Sequence, residues 1–75
     1  MNGAARPRKR SLTLRGHRTS VSLEDEFWQA FREIAKLKSR SINDLAAEID
    51  ADRGTGAGLA SAIRVFVLRH WQQRN

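Results

Sequence analysis

Seventy-five residues carrying a net charge of +6 make one small domain, because chains of this size bury only about 60% of their unfolded surface, too little for two cores. The absence of cysteine excludes a disulfide framework and a thiolate zinc site, and two isolated histidines offer no other staple, so something else must complete the core. No apolar run approaches the roughly 18 residues of a membrane span, and the basic N-terminus lacks the apolar stretch of a signal peptide; a soluble, cytoplasmic chain is expected.

The charge is unevenly spread. Arg6, Arg8, Lys9, Arg10, Arg15 and Arg18 all precede the first acid, Glu24; from Glu24 onward eight basic residues face eight acidic ones. A wholly basic leader on a neutral body points to an anionic polymer or surface as partner. Residues 1–10 hold Gly3, Pro7 and four cations without apolar periodicity, which reads as a disordered basic arm ahead of a folded domain over 11–75.

From Ser11 to Leu23 apolar or β-branched residues alternate with polar ones, at Leu12 and Leu14 and again at Thr19, Val21 and Leu23. That period of two predicts a half-buried strand, interrupted at Gly16. Over Glu24–Lys38 the period changes: Phe27, Ala30, Phe31, Ile34 and Leu37 recur at spacings of three and four, which predicts an amphipathic helix with Glu24, Asp25 and Glu26 complementing its positive end. Ser41, with Asp44 three residues on, has the form of a helix cap. Ile42, Leu45, Ala46 and Ile49 continue into a second helix, ending near Ala51. Three glycines within Gly54–Gly58 stop it, and Leu59, Ala62, Ile63, Phe66 and Val67 restart an apolar stripe in a third helix to about Gln72.

A lone strand leaves backbone donors and acceptors unpaired along its edges. A hairpin turned at Gly16 is one answer, but a single glycine between Arg15 and His17 makes a poor two-residue turn. The other answer is the same strand from a second chain, in a two-fold antiparallel ribbon that also supplies the missing core. The dimer core would then comprise Thr19, Val21, Leu23, Phe27, Phe31, Ile34, Ile42, Leu45, Ile49, Ile63 and Phe66. The opposite face would carry Arg18, Ser20 and Ser22. A two-stranded ribbon fits the major groove of double-stranded DNA, where Arg reads guanine O6 and N7 and Ser pairs with several bases. These three are the candidate base contacts.

Arg18–Trp28, followed by Ser39-Arg40-Ser41-Ile42, resembles the ribbon-helix-helix DNA-binding superfamily. The closest likeness is to a subgroup with a His-Arg-Thr-Ser-Val-Ser-Leu-Glu segment and a late Ser-Ala-Ile-Arg-Val-Phe-Val-Leu helix, here His17–Glu24 and Ser61–Leu68. The resemblance implies a mostly helical, intertwined homodimer whose paired strands enter the groove, acting as a transcriptional regulator or repressor near the nucleoid. It also implies a phosphate seated on the backbone amides of Ser41, Ile42 and Asn43, with Arg40 beside it; free amides at a helix start favour an anion. Arg6, Arg8, Lys9, Arg10, Arg15 and His17 complete the expected phosphate contacts. The chain departs from the family's single long second helix by breaking it at Gly54–Gly58.

Other signals favour plain structure. The glycines lack the flanking strand and Lys-Ser/Thr of a phosphate loop. His17 and His70 have no companions at metal-ligand spacing. Trp28 and Trp71 could stack on bases but sit beside apolar stripes and read as packing. No nucleophile lies near a base and an orienting group, so no catalysis and no cofactor are expected. The arm has too few apolar residues to insert into a membrane. The alternative function is a protein-interaction dimer, antitoxin-like or an adaptor, gripping a partner through its last helix.

Overall fold

The computed structural model describes residues 6–53 and 58–73. Its element order is β1 (Arg8–Leu14), β2 (His17–Leu23), α1 (Asp25–Leu37), α2 (Ile42–Asp52) and α3 (Leu59–Gln73). The three helices fall where the periodicity places them, within a residue or so at each end. Most of the glycine-rich break, residues 54–57, lies outside the described residues, as do residues 1–5 of the expected arm.

The strand region departs from expectation. There are two strands, not one, and they pair antiparallel within a single chain, from Arg8 opposite Leu23 to Leu14 opposite His17. Arg8, Lys9 and Arg10, expected in the disordered arm, are the first three residues of β1. One edge of β2 is therefore paired within the chain, and its other edge is open among the described residues. Arginine conceals the alternation that makes this possible: Arg8, Arg10, Leu12 and Leu14 share the inward side of β1, and Arg10 is tolerated there because its charge is met. Its guanidinium donates to Asp25 and, at 3.4 Å, to the Leu23 carbonyl, and lies 5.5 Å from the centre of the Trp28 ring.

Arg15 and Gly16 make the turn with φ of 52° and 86°, the left-handed pair of a type I′ turn, whose twist matches that of the flanking strands. The sequence expectation discounts this turn because it counts only the single glycine, whereas Arg15 takes the second left-handed position. A second non-glycine residue takes the left-handed region at the end of α1. Ser39 has φ 56°, while the amide of Arg40 donates to the Ala35 carbonyl at 2.9 Å and that of Ser39 to the Lys36 carbonyl at 3.0 Å. This is the Schellman closure that normally carries glycine. Since left-handed backbone costs an ordinary residue about 1–2 kcal/mol, Ser39→Gly and Arg15→Asn should each raise the unfolding free energy by about 0.5–1 kcal/mol. Urea denaturation followed by circular dichroism measures this, and an unchanged midpoint would contradict it.

One core lies between the hairpin and the helices. Leu12, Val21 and Leu23 from the inward face of the ribbon meet Phe31, Ile34 and Ala35 of α1, Leu45, Ala46 and Ile49 of α2, and Ile63 and Val67 of α3. Of the residues expected to form a dimer core, Val21, Leu23, Phe31, Ile34, Leu45, Ile49 and Ile63 are thus buried within one chain. Phe27, Ile42 and Phe66 pack partly buried against them, and Thr19 is exposed. The rings of Phe31 and Phe66 meet edge to face at 6.2 Å. Trp28 sits 6.3 Å from Phe31, in a packing role, while Trp71 stands at the surface against His70.

Two arginines pin the junction between β2 and α1 from opposite sides. Arg10 holds Asp25, and Arg64 of α3 donates to Glu24 at 2.9 Å and to the Ser22 carbonyl at 3.3 Å. The hydrogen bond from Arg10 holds the Asp25 carboxyl below its ordinary 3.8. Glu24 is held below its ordinary 4.5, chiefly by its own backbone amide and then by Arg64. A carboxyl whose folded pKa is depressed stabilises the fold above its unfolded value and loses that contribution as pH falls through the folded one. The melting temperature should therefore decline gradually as pH falls from about 4.5 through 3.8 and below, and only modestly because both carboxyls are open to solvent. Asp25→Asn should blunt that fall, and an equally steep acid limb in the variant would contradict the assignment.

Candidate nucleic-acid interface

The ribbon has one apolar face and one polar face. On the outward side the register sets Lys9 opposite Ser22, Ser11 opposite Ser20, and Thr13 opposite Arg18, and all six are exposed. The expected base contacts Arg18, Ser20 and Ser22 thus lie together on one accessible strand face. The residues that sequence reasoning missed are Ser11 and Thr13, together with the placement of Lys9 among them. Ser11 and Thr13 are the polar positions of the alternation from Ser11 to Leu14, and only Lys9 falls within the expected arm. Arg15 tips the hairpin and His17 flanks it on the inward side, both exposed.

The edge of β1 is joined to α2. The Thr13 amide donates to the side-chain oxygen of Asn43 at 3.0 Å, so it points away from β2. By the alternation of an antiparallel ladder, the amides of Arg18, Ser20 and Ser22 point away from β1 in turn. This single bond fixes the start of α2 beside the ribbon. Ser41 caps that helix, its hydroxyl accepting from the Asp44 amide at 3.0 Å, while the amides of Ile42 and Asn43 are first-turn donors without an intrahelical acceptor.

A groove of about 540 Å³ opens at this helix start, lined by Arg32 and Lys36 of α1 together with Arg40, Ser41 and Ile42; Glu33 also lines it. Arg32 and Lys36 were not singled out from sequence, although their spacing of four on the polar face of α1, one tight turn before Ser41, was the available signal. Arg40 is ion-paired with Glu48 of α2 and so brings a partly neutralised charge. Arg10 is likewise taken up by Asp25 and faces the core side, whereas Arg8 reaches Asp25 only at 3.8 Å with most of its side chain in solvent. Arg6 precedes β1 and is exposed.

The fold and this surface define a compact helical domain fronted by a polar two-stranded ribbon. The family description "Ribbon-helix-helix domain" matches residues 7–71, and the chain belongs to that family, with a third helix after the usual two. Comparison with curated proteins and with solved structures gives no match. Among the described residues, no three His, Asp or Glu side chains gather as a metal site, and no helix is long and apolar enough to cross a membrane.

Proposed function

We propose that this chain is a sequence-specific DNA-binding transcriptional regulator of the cytoplasm, without catalytic activity, acting on double-stranded DNA as a homodimer. The observation that carries this reading is the exposed ribbon face, where Arg18, Ser20 and Ser22 stand at alternate positions with nothing packed over them. Arg suits guanine O6 and N7, and serine hydroxyls donate to or accept from several base edges. Arg32 and Lys36, with the amides of Ile42 and Asn43, would seat a backbone phosphate alongside, and Arg6, Arg8, Arg15 and His17 would add contacts that carry affinity rather than sequence information.

Since β1 pairs with one edge of β2, a second copy would pair through the other edge of β2, and the same dimer would cover the apolar residues that α3 leaves exposed, Val65, Leu68 and Trp71. Two chains related by a two-fold axis would then address an inverted repeat. Those same α3 residues favour the second reading, a protein-interaction dimer in which DNA binding is secondary. Selection of random duplexes with the purified protein separates the two. Enrichment of an inverted repeat supports the regulator, and recovery of no motif supports the partner-binding dimer.

A further inference from the structure

We infer that β1 is a flanking strand for the DNA backbone: with two copies joined through the open edge of β2, Lys9, Ser11 and Thr13 hold the phosphates that wall the groove, while Arg18, Ser20 and Ser22 read the bases between them. This rests on the DNA-binding reading and deepens it by naming the part of the duplex that the added strand takes. Strand order is the first observation. β1 occupies one edge of β2, so two copies joined at the other edge form a sheet in which both β1 strands are outermost. Strands pair about 4.8 Å apart, which sets the outer backbones of four strands about 14 Å apart, whereas the major groove is about 12 Å wide. The two central strands enter the groove and the outer two meet its rims.

The outward chemistry of β1 is the second. Lys9, Ser11 and Thr13 are exposed on the same face as the three β2 residues, and they carry a cation and two hydroxyls, groups that bind phosphate oxygens. The two arginines of this strand turn inward to Asp25, whereas Lys9 makes no ion pair with any described residue, so its charge is available to DNA. The third observation is the closed outer edge of β1, where the Thr13 amide donates to the side-chain oxygen of Asn43 at 3.0 Å. That bond sets Thr13 beside the first turn of α2, whose amides at Ile42 and Asn43 have no intrahelical acceptor. Phosphate sites on β1 and on α2 therefore follow one another along one DNA backbone. A paired strand meets that backbone at fixed positions, which a mobile basic arm would not.

Duplex selection, salt titration and phosphate ethylation interference on the full chain test this. Lys9→Ala, Ser11→Ala and Thr13→Val change exposed positions, and circular dichroism checks that each variant keeps its fold. Lys9→Ala should weaken binding to the selected duplex and to unrelated duplexes alike, on the order of tenfold at 0.15 M salt, and lower the log-log salt slope by about 1.8, or 0.9 for each of two phosphates. Ser11→Ala and Thr13→Val should each weaken binding by about two- to tenfold, the worth of a hydrogen bond, with slope and motif unchanged. Ethylated phosphates flanking the guanine read by Arg18 should block binding of wild type, and one such position in each half-site should cease to block Lys9→Ala. An unchanged salt slope and interference pattern in Lys9→Ala would take β1 off the DNA, and a motif relaxed at one base pair in any of the three variants would make β1 a base reader. Either result overturns the inference while the DNA-binding reading stands. Failure of wild type to enrich any motif would instead remove that reading, and the inference with it.

Discussion

Phe31→Ala should cost about 3–5 kcal/mol of folding free energy, the usual range for removing a fully buried phenyl ring from a core. Phe31 is wholly inaccessible and touches the rings of Trp28 and Phe66, so the space it leaves is walled by α1 and α3 and cannot collapse easily. A domain of this length has on the order of 4–11 kcal/mol to lose, and the variant should be largely unfolded at 37 °C. Circular dichroism with urea denaturation reads this. Because the core closes within one chain, wild type should keep its helical signal on dilution to the monomer, and Phe31→Ala should lose it. Helical content that vanishes on diluting wild type would show that the second copy is part of the core after all.

Arg18→Ala should weaken binding to the selected site by about 1–3 kcal/mol, roughly 5- to 150-fold, and relax preference at one base pair. Arg18 is exposed at the turn end of the ribbon and makes no ion pair with any described residue, so its guanidinium is held by nothing that DNA would have to displace. Arg10 is the useful contrast. Its charge is spent on Asp25 and the Leu23 carbonyl, so its loss should lower stability and leave base preference alone. Fluorescence anisotropy on the selected site and on single-base variants distinguishes these outcomes, and a uniform loss across all sequences with Arg18→Ala would demote it to a phosphate contact.

The helices were legible because their apolar residues repeat at helical spacing and their ends carry ordinary signals: acids at the start of α1 and Ser41 capping α2. The outward positions of Arg18, Ser20 and Ser22 followed from simple alternation along β2. The first half of β1, Arg8–Arg10, was hidden because two of the strand's four inward positions are arginines, a residue type that reads as solvent-facing unless the partner acid is known. That acid is Asp25, fifteen residues from Arg10, and only the folded chain brings them together. The turn was hidden for a related reason, with Arg15 in a backbone region that usually signals itself through Asn, Asp or Gly. Arg32 and Lys36 carry no signal of their own on the polar face of α1; the α1–α2 turn sets them beside Ser41.

The placement of the ribbon in the major groove is tested most directly by dimethyl sulfate protection of guanine N7, an atom accessible only from that groove. With the protein bound to its selected duplex, guanines inside each half-site should be protected, and Arg18→Ala should lose protection at one of them while the others remain. Full reactivity of every N7 in the presence of saturating protein would place the ribbon elsewhere and contradict the account.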